Sequence, residues 1–270
     1  MVSWVDEAEA NDDDGLRGRV AIVAGASGPD GGVTNGRAAA IVLARAGVRV
    51  VCVGRGPARV ERSAEMVRAA GGKALAVAAD VTVEDDCRRV VASALAEFGR
   101  LDILVNNVGV AARGTVVDVP IETWRDIWTT NVESMVLMSK HAIGAMAASA
   151  AAGSIVNIGS LRAIRPFEVS PYSTTKGAVM ALTQAMAVDH AAAGIRVNCV
   201  VLGPVYTAVT ARSVSPEQRE TRRRASPLGV EGTAWDTGNL VRFLASDHAR
   251  YITGQCLVLD GGVSLVSPKR

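Results

Sequence analysis

Seven short apolar runs, spaced along the chain and each followed by a segment of helical pattern apart from the last, constrain the fold more than any other feature. They read RVAIVAG (19–25), VRVVCVG (48–54), KALAVAAD (73–80), LDILVNN (101–107), GSIVNIGS (153–160), IRVNCVVLG (195–203) and QCLVLDGG (255–262). Between them, helices are expected at 36–47, 57–70, 84–98, 120–148, 171–193 and 234–245. Runs of Val, Ile, Leu and Ala without polar alternation belong to strands buried on both faces, and strands alternating with helices give a parallel sheet. Right-handed crossovers then make a doubly wound α/β sheet of about seven strands, with helices on both faces. Ligands in such sheets bind beyond the carboxyl ends of the strands. No repeat or Pro/Ser-rich linker divides the chain, so its 270 residues are expected to form one domain over 18–270.

Asp6, Glu7, Glu9, Asp12, Asp13 and Asp14 make residues 1–17 an acidic leader that is expected to be flexible. Removing them leaves a basic body, which suits an anionic cofactor. No basic run interleaved with aromatics argues for nucleic acid, and Arg222-Arg223-Arg224 reads as a solvated helix face. Ala142 to Leu161 carries no charge, but its Gly153 and Asn157 fit a helix end followed by a strand, and no membrane span is expected. Cys52, Cys87, Cys199 and Cys256 show neither a CxxC nor a metal spacing, and His141, His190 and His248 are scattered, so no metal is expected. Free thiols in apolar runs fit a reducing, cytoplasmic setting.

The turn after the first strand, VAGASGPDGGVTNGRAAA, opens a helix. Glycine lets the backbone approach a pyrophosphate, and a helix N-terminus offers free N–H groups to it. Here the sequence resembles the short-chain dehydrogenase/reductase family, whose turn reads TGxxxGxG, and the resemblance extends from about Leu16 to Leu265. Gly25 and Gly36 look like the first and last family glycines, yet they are eleven residues apart where the family has six. If the end-to-end match holds, five residues are inserted and Thr34 replaces the middle glycine; alternatively Gly28 and Gly32 supply the close-approach positions. Gly25, Ser27, Asn35 and Gly36 are the cofactor candidates in this turn.

After the second strand, Gly54 stands where an NAD enzyme carries an acid, and Arg55 follows. A guanidinium can clamp a 2′-phosphate that a carboxylate would repel, so NADP(H) is expected over NAD(H). A solvated loop arginine is the alternative reading. By resemblance, Asp80 and Val81 contact the adenine, and Asn107 and Gly109 of NNVG lie beside the adenosine ribose, with Val108 where the family has Ala.

Tyr172 and Lys176, four apart on an expected helix, share one face. A phenol with a pKa of about 10 is a poor proton donor and acceptor near neutrality, and a neighbouring cation moves it toward the working range. By resemblance, Tyr172 is the general acid/base, Lys176 binds the nicotinamide ribose, Ser160 polarises the substrate oxygen, and Asn131 holds a proton-relay water. The Ser160–Tyr172 interval is one residue shorter than the commonest family spacing. LGPVYT resembles the family's PGxVxT, with Leu202 for proline, and puts Val205 and Thr207 at the carboxamide. Residues 208–227 fall where the family has a mobile lid and read as irregular. Arg162, Ile164, Phe167, Val205 and Tyr206 are expected to border the substrate. The resemblance implies an NADP(H)-dependent carbonyl reductase or alcohol dehydrogenase, acting on a ketone or secondary alcohol as a homodimer or homotetramer. An enoyl reductase is disfavoured because those relatives separate Tyr and Lys by six residues. A non-catalytic dinucleotide-binding regulator is disfavoured by the joint presence of Asn131, Ser160, Tyr172 and Lys176.

Overall fold

The computed structural model describes residues 14–29, 32–149 and 152–266. Its elements run β1 (Val20–Ala24), α1 (Asn35–Arg45), β2 (Arg49–Gly54), α2 (Pro57–Ala69), β3 (Lys73–Ala78), α3 (Glu84–Phe98), β4 (Ile103–Asn106), α4 (Ile121–Trp128), α5 (Ser134–Ala148) and β5 (Gly153–Ser160). They continue with α6 (Ser170–Asp189), β6 (Ile195–Leu202), β7 (Val205–Tyr206), α7 (Pro216–Ala225), β8 (Gly232–Thr233), α8 (Ala234–Ala245) and β9 (Cys256–Leu259). Seven strands form one sheet in the order β3-β2-β1-β4-β5-β6-β9, every pair parallel. The order reverses between β1 and β4, which opens a crevice at their carboxyl ends.

The two faces divide the strand residues by alternation. Ala21, Val23, Val50 and Cys52 point to one core with α1, α2 and α8, while Val20, Ile22, Val51 and Val53 point to the other with α3, α5 and α6. β5 is buried along its whole length, which is why its run reads as continuously apolar apart from small and hydrogen-bonded residues. Asn106 is one of the polar exceptions in the core. Its side-chain amide donates to Ser139 Oγ (3.1 Å) and Asn157 Oδ1 (2.9 Å), and Asn157 donates on to Thr183 Oγ1 (2.9 Å). This closed network ties β4 and β5 to α5 and α6 and leaves few buried polar atoms unmatched.

Three expectations need correction. The ordered domain begins at least four residues before Gly18: Leu16 is fully buried, and Asp14 accepts from Arg242 Nη2 at 2.6 Å while its carbonyl accepts from the Asp247 N–H at 3.0 Å. The rest of the expected leader, residues 1–13, lies outside the described residues. The single helix expected over 120–148 is α4 and α5 joined by a π-turn at Thr129–Glu133. The expected irregular stretch 208–227 contains α7, started by a capping box in which the Ser215 and Gln218 side chains each accept the other residue's N–H, with Pro216 opening the helix. No helix among the described residues is long and apolar enough to cross a membrane.

Candidate active site

The lengthened glycine turn closes end to end. Gly25 has φ +82°, a left-handed conformation that favours glycine, and a Cβ on Gly36 would collide with the Gly25 carbonyl oxygen. Asn107 Nδ2 donates to that same carbonyl at 3.0 Å. The geometry therefore favours Gly25 and Gly36 as the tight pair, whereas Gly28 backs onto the Thr34 side chain and Gly32 onto Ala208. Thr34, in the place of the family's middle glycine, caps α1 by accepting from Arg37 N at 3.3 Å. Arg37 is the organiser that the sequence reading missed. Its guanidinium is buried, and it donates to the carbonyls of Pro29 (2.6 Å), Gly32 (2.7 Å) and Gly28 (3.3 Å) and to Ser63 Oγ (2.9 Å). A cation inside an otherwise apolar helix, RAAAIVLA, was the available signal.

From this turn a cavity of about 550 Å³ runs along the strand ends, within the range of small-molecule and cofactor sites. It is lined by Gly25, Ser27, Asn35, Arg55, Asp80, Val81, Asn107, Gly109, Val205 and Thr207 of the expected cofactor set, and by Ser160, Tyr172 and Lys176. Gly36 and Asn131 do not line it and act from behind. Ser27 packs so tightly on Gly54 that a Cβ there would clash with its hydroxyl, so the missing acid at the end of β2 leaves room for Ser27. Asp80 Oδ1 is occupied by the Thr82 N–H (3.0 Å) and hydroxyl (2.7 Å). Thr207 Oγ1 accepts from the N–H groups of Val209 (3.2 Å) and Thr210 (3.3 Å), shaping the chain after β7.

Ser160 ends β5, and Tyr172 and Lys176 sit in the first two turns of α6 on its inner side. Lys176 is 4% exposed, and its Nζ donates to the Ile158 carbonyl at 2.8 Å, its one hydrogen bond among the described residues. The amine lies 5.9 Å from the centre of the Tyr172 ring. Asn131, fully buried in the π-turn, brackets Val110: Oδ1 accepts from its N–H (2.8 Å), and Nδ2 donates to its carbonyl (2.9 Å) and to Thr175 Oγ1 (3.0 Å). A Cβ on Gly109 would come within 3.3 Å of Lys176 Nζ and 3.4 Å of Asn131 Oδ1, so both side chains pack beside this glycine. A π-turn at a functional position re-aims one residue without ending the helix.

Burial sets the local electrostatics. It pulls the Lys176 amine down to about 8, and it pushes the Tyr172 phenol above the usual tyrosine range. The groups that oppose the rise at Tyr172 are the Ser160 hydroxyl, by hydrogen bonding, and the Arg162 charge. Behind Lys176, Cys199 and Cys256 are side by side on β6 and β9, and all four cysteines are free. No group of three metal-ligating side chains occurs among the described residues. Arg222 is a further correction: it is half-buried and lines the cavity, while the exposed Arg223 and Arg224 pair with Glu220.

The family described as Enoyl-(Acyl carrier protein) reductase matches residues 33–264. Cis-4-hydroxycyclohexanecarboxylate dehydrogenase of Sinomonas cyclohexanicum is 37% identical over 250 residues, covering 92% of this chain and 97% of that one. A short-chain type dehydrogenase/reductase from Mycobacterium marinum has a TM-score of 0.85 at 32% identity, covering 94% of this chain and 99% of that one. A 7α-hydroxysteroid dehydrogenase solved with NADH and 7-oxoglycochenodeoxycholic acid has a TM-score of 0.85 at 28% identity, with 93% and 96% covered. The chain belongs to the short-chain dehydrogenase/reductase family. It is therefore an oxidoreductase of CH–OH and C=O groups that uses a nicotinamide dinucleotide.

The depressed Lys176 pKa has a signed consequence for stability. An ordinary lysine titrates near 10.5, above the folded value of about 8, so between those values the unfolded chain binds more protons and this group's contribution to stability rises with pH. Lys176→Met removes that contribution. Its stability relative to the native chain is expected to fall as pH increases from about 7 to about 10, measured by urea denaturation at each pH; a difference that is flat across the window would contradict the burial of a titrating amine.

Proposed function

We propose that this enzyme is an NADP(H)-dependent carbonyl reductase or alcohol dehydrogenase of ketones and secondary alcohols. The observation that carries the proposal is the buried Lys176 ammonium, which has three donors and a single hydrogen-bond partner among the described residues, one helical turn from Tyr172 and at the wall of the cavity beyond the glycine turn. The donor set fits the cofactor: a glycine pair too close for any Cβ, a helix N-terminus at Asn35 and a buried cation beneath the far end of the groove. A bound nicotinamide dinucleotide supplies or accepts the hydride.

Each residue has a defined task in this scheme. Gly25, Ser27 and Asn35 receive the pyrophosphate with Gly36 closing the turn behind them, Asp80 and Val81 border the adenine, and Asn107 and Gly109 border its ribose. Val205 and Thr207 hold the carboxamide, and Lys176 offers its unused donors to the nicotinamide ribose. Ser160 donates a hydrogen bond to the substrate oxygen, stabilising the charge that develops there. Tyr172 gives its proton to that oxygen in reduction and takes it back in oxidation. Asn131 fixes the Gly109–Val110 backbone against α6 and acts as a positioning residue for Lys176. Arg55, exposed and beside Gly54 at the end of β2, takes the 2′-phosphate. The enzyme works as a homodimer or homotetramer in the cytoplasm, where its four free cysteines stay reduced.

An enoyl reductase is the second reading, favoured by the description of the matching family; the short Tyr172–Lys176 interval speaks against it, and product analysis with an enone separates C=O from C=C reduction.

Tyr172→Phe is expected to lower kcat by about a thousandfold while leaving dinucleotide affinity within about twofold, measured by nicotinamide absorbance and by fluorescence titration; turnover that survives the change would refute the assignment. Native enzyme is expected to favour NADPH over NADH in kcat/KM, and Arg55→Ala to lower that ratio by about tenfold through NADPH alone. A native preference for NADH would overturn the cofactor assignment.

A further inference from the structure

Beside the dinucleotide groove lies a second, larger cavity of about 1040 Å³, and the two share Ser160, Leu202, Gly203 and Arg222 in their walls. Its apolar wall includes Leu161, Phe167, Leu202, Pro227 and Val263. Four arginines line it as well, Arg162, Arg165, Arg222 and Arg224, and no acidic side chain does. Cationic side chains of one sign along an apolar wall concentrate a positive potential there.

Two of the four are committed to protein partners. Arg165 Nη1 donates to the carbonyls of Val263 (2.7 Å) and Val266 (2.9 Å), and Arg224 Nε to Glu220 at 2.7 Å. The other two are not. The Arg162 guanidinium makes no hydrogen bond or ion pair among the described residues, and its charge is felt at the Tyr172 phenol. Arg222 has only a long 3.5 Å contact to the Val205 carbonyl and a 3.9 Å approach to Glu231 Oε1, beyond hydrogen-bond reach. Among the described residues its Nη1 and the facing Glu231 Oε1 are both buried without a hydrogen-bond partner, while Glu231 Oε2 accepts from Arg219 Nε at 2.8 Å. An unmatched buried donor on a cation is costly unless a ligand completes it.

We propose that the substrate of this enzyme carries an oxyanion, such as a carboxylate, on an apolar body, and that Arg222 together with Arg162 binds that anion in the second cavity. The inference rests on the dehydrogenase reading above, since it places the reacting carbon at Tyr172 and the anion away from it. A guanidinium meets a carboxylate through paired hydrogen bonds, which fixes orientation as well as affinity. A neutral substrate would leave the two arginines unmatched around it. Arg222 also borders the dinucleotide groove, so the rival occupant is a phosphate of the cofactor, and the experiment must separate the two.

Calorimetric titration of the NADPH-loaded protein with cyclohexanecarboxylate and with cyclohexanecarboxamide makes that separation. The carboxylate is expected to bind at least about tenfold more tightly than the amide, and the Arg162→Gln/Arg222→Gln chain to hold the two within about twofold, with NADPH affinity kept within about twofold. The exposed Arg162→Gln alone is expected to lose part of the preference, so the test does not depend on the double variant folding. Equal binding of the two ligands by the native protein, or a preference that persists in the double variant, would overturn the proposal. So would Arg222→Gln that weakens NADPH about tenfold and spares the preference, because the arginine would then serve the cofactor. Failure of the dehydrogenase reading looks different: Tyr172→Phe would keep its turnover whatever the carboxylate preference.

Discussion

The arrangement depends on an ammonium held where the protein itself does little for it. Lys176 is buried to 4% exposure with the Ile158 carbonyl as its hydrogen-bond partner, and taking a charge out of water without full compensation is unfavourable. Its neighbours follow from that position. Gly109 must be small enough for the amine to sit over it, Asn131 must grip Val110 from behind, and α6 must run against β5 so that the Ile158 carbonyl is within reach. Tyr172, one turn earlier on α6, is thereby carried to Ser160 at the end of β5. A site that charges itself at the expense of stability is what a bound ligand is expected to relieve.

The glycine turn shows a second way to reach the same end. A turn with five extra residues would ordinarily wander, but Arg37 reaches back from the first turn of α1 and gathers the carbonyls of Gly28, Pro29 and Gly32. Gly32 packs against Ala208, whose N–H donates to the Val33 carbonyl at 3.0 Å. The chain after β7 and the glycine turn are joined through this contact. α7 is held by Arg219, which stacks 3.6 Å from the centre of the Tyr206 ring while pairing with Glu231.

Most of the sheet was legible because strands buried on both faces leave uninterrupted apolar runs, and every one of the seven coincides with an observed strand. Of the candidate site, what the sequence announces is the fixed spacing of Tyr172-x-x-x-Lys176, which the structure sets on one helix, and the close backbone approach of Gly25 and Gly36. The remainder escaped for physical reasons. The π-turn at Thr129–Glu133 differs from α-helix by one residue of winding, which periodicity over 120–148 averages away. α7 was hidden because its face is almost wholly polar and none of its residues is buried; only Ser215-Pro216-x-Gln218, a capping box with proline at the first position, announced it. Arg37 and Arg222 look like any surface arginine in a sequence, since their meaning lies in what surrounds them.

In the free protein the phenol lies above the ordinary tyrosine range, and the charge brought by an oxidised nicotinamide must lower it for Tyr172 to work as a base. Ultraviolet difference titration of phenol ionisation measures this directly, with the Tyr172→Phe chain subtracting the signals of Tyr206 and Tyr251. Tyr172 is predicted to titrate above about 10 alone and to fall by at least about one unit when NADP⁺ is bound. A phenol whose titration is the same with and without NADP⁺ would contradict the account.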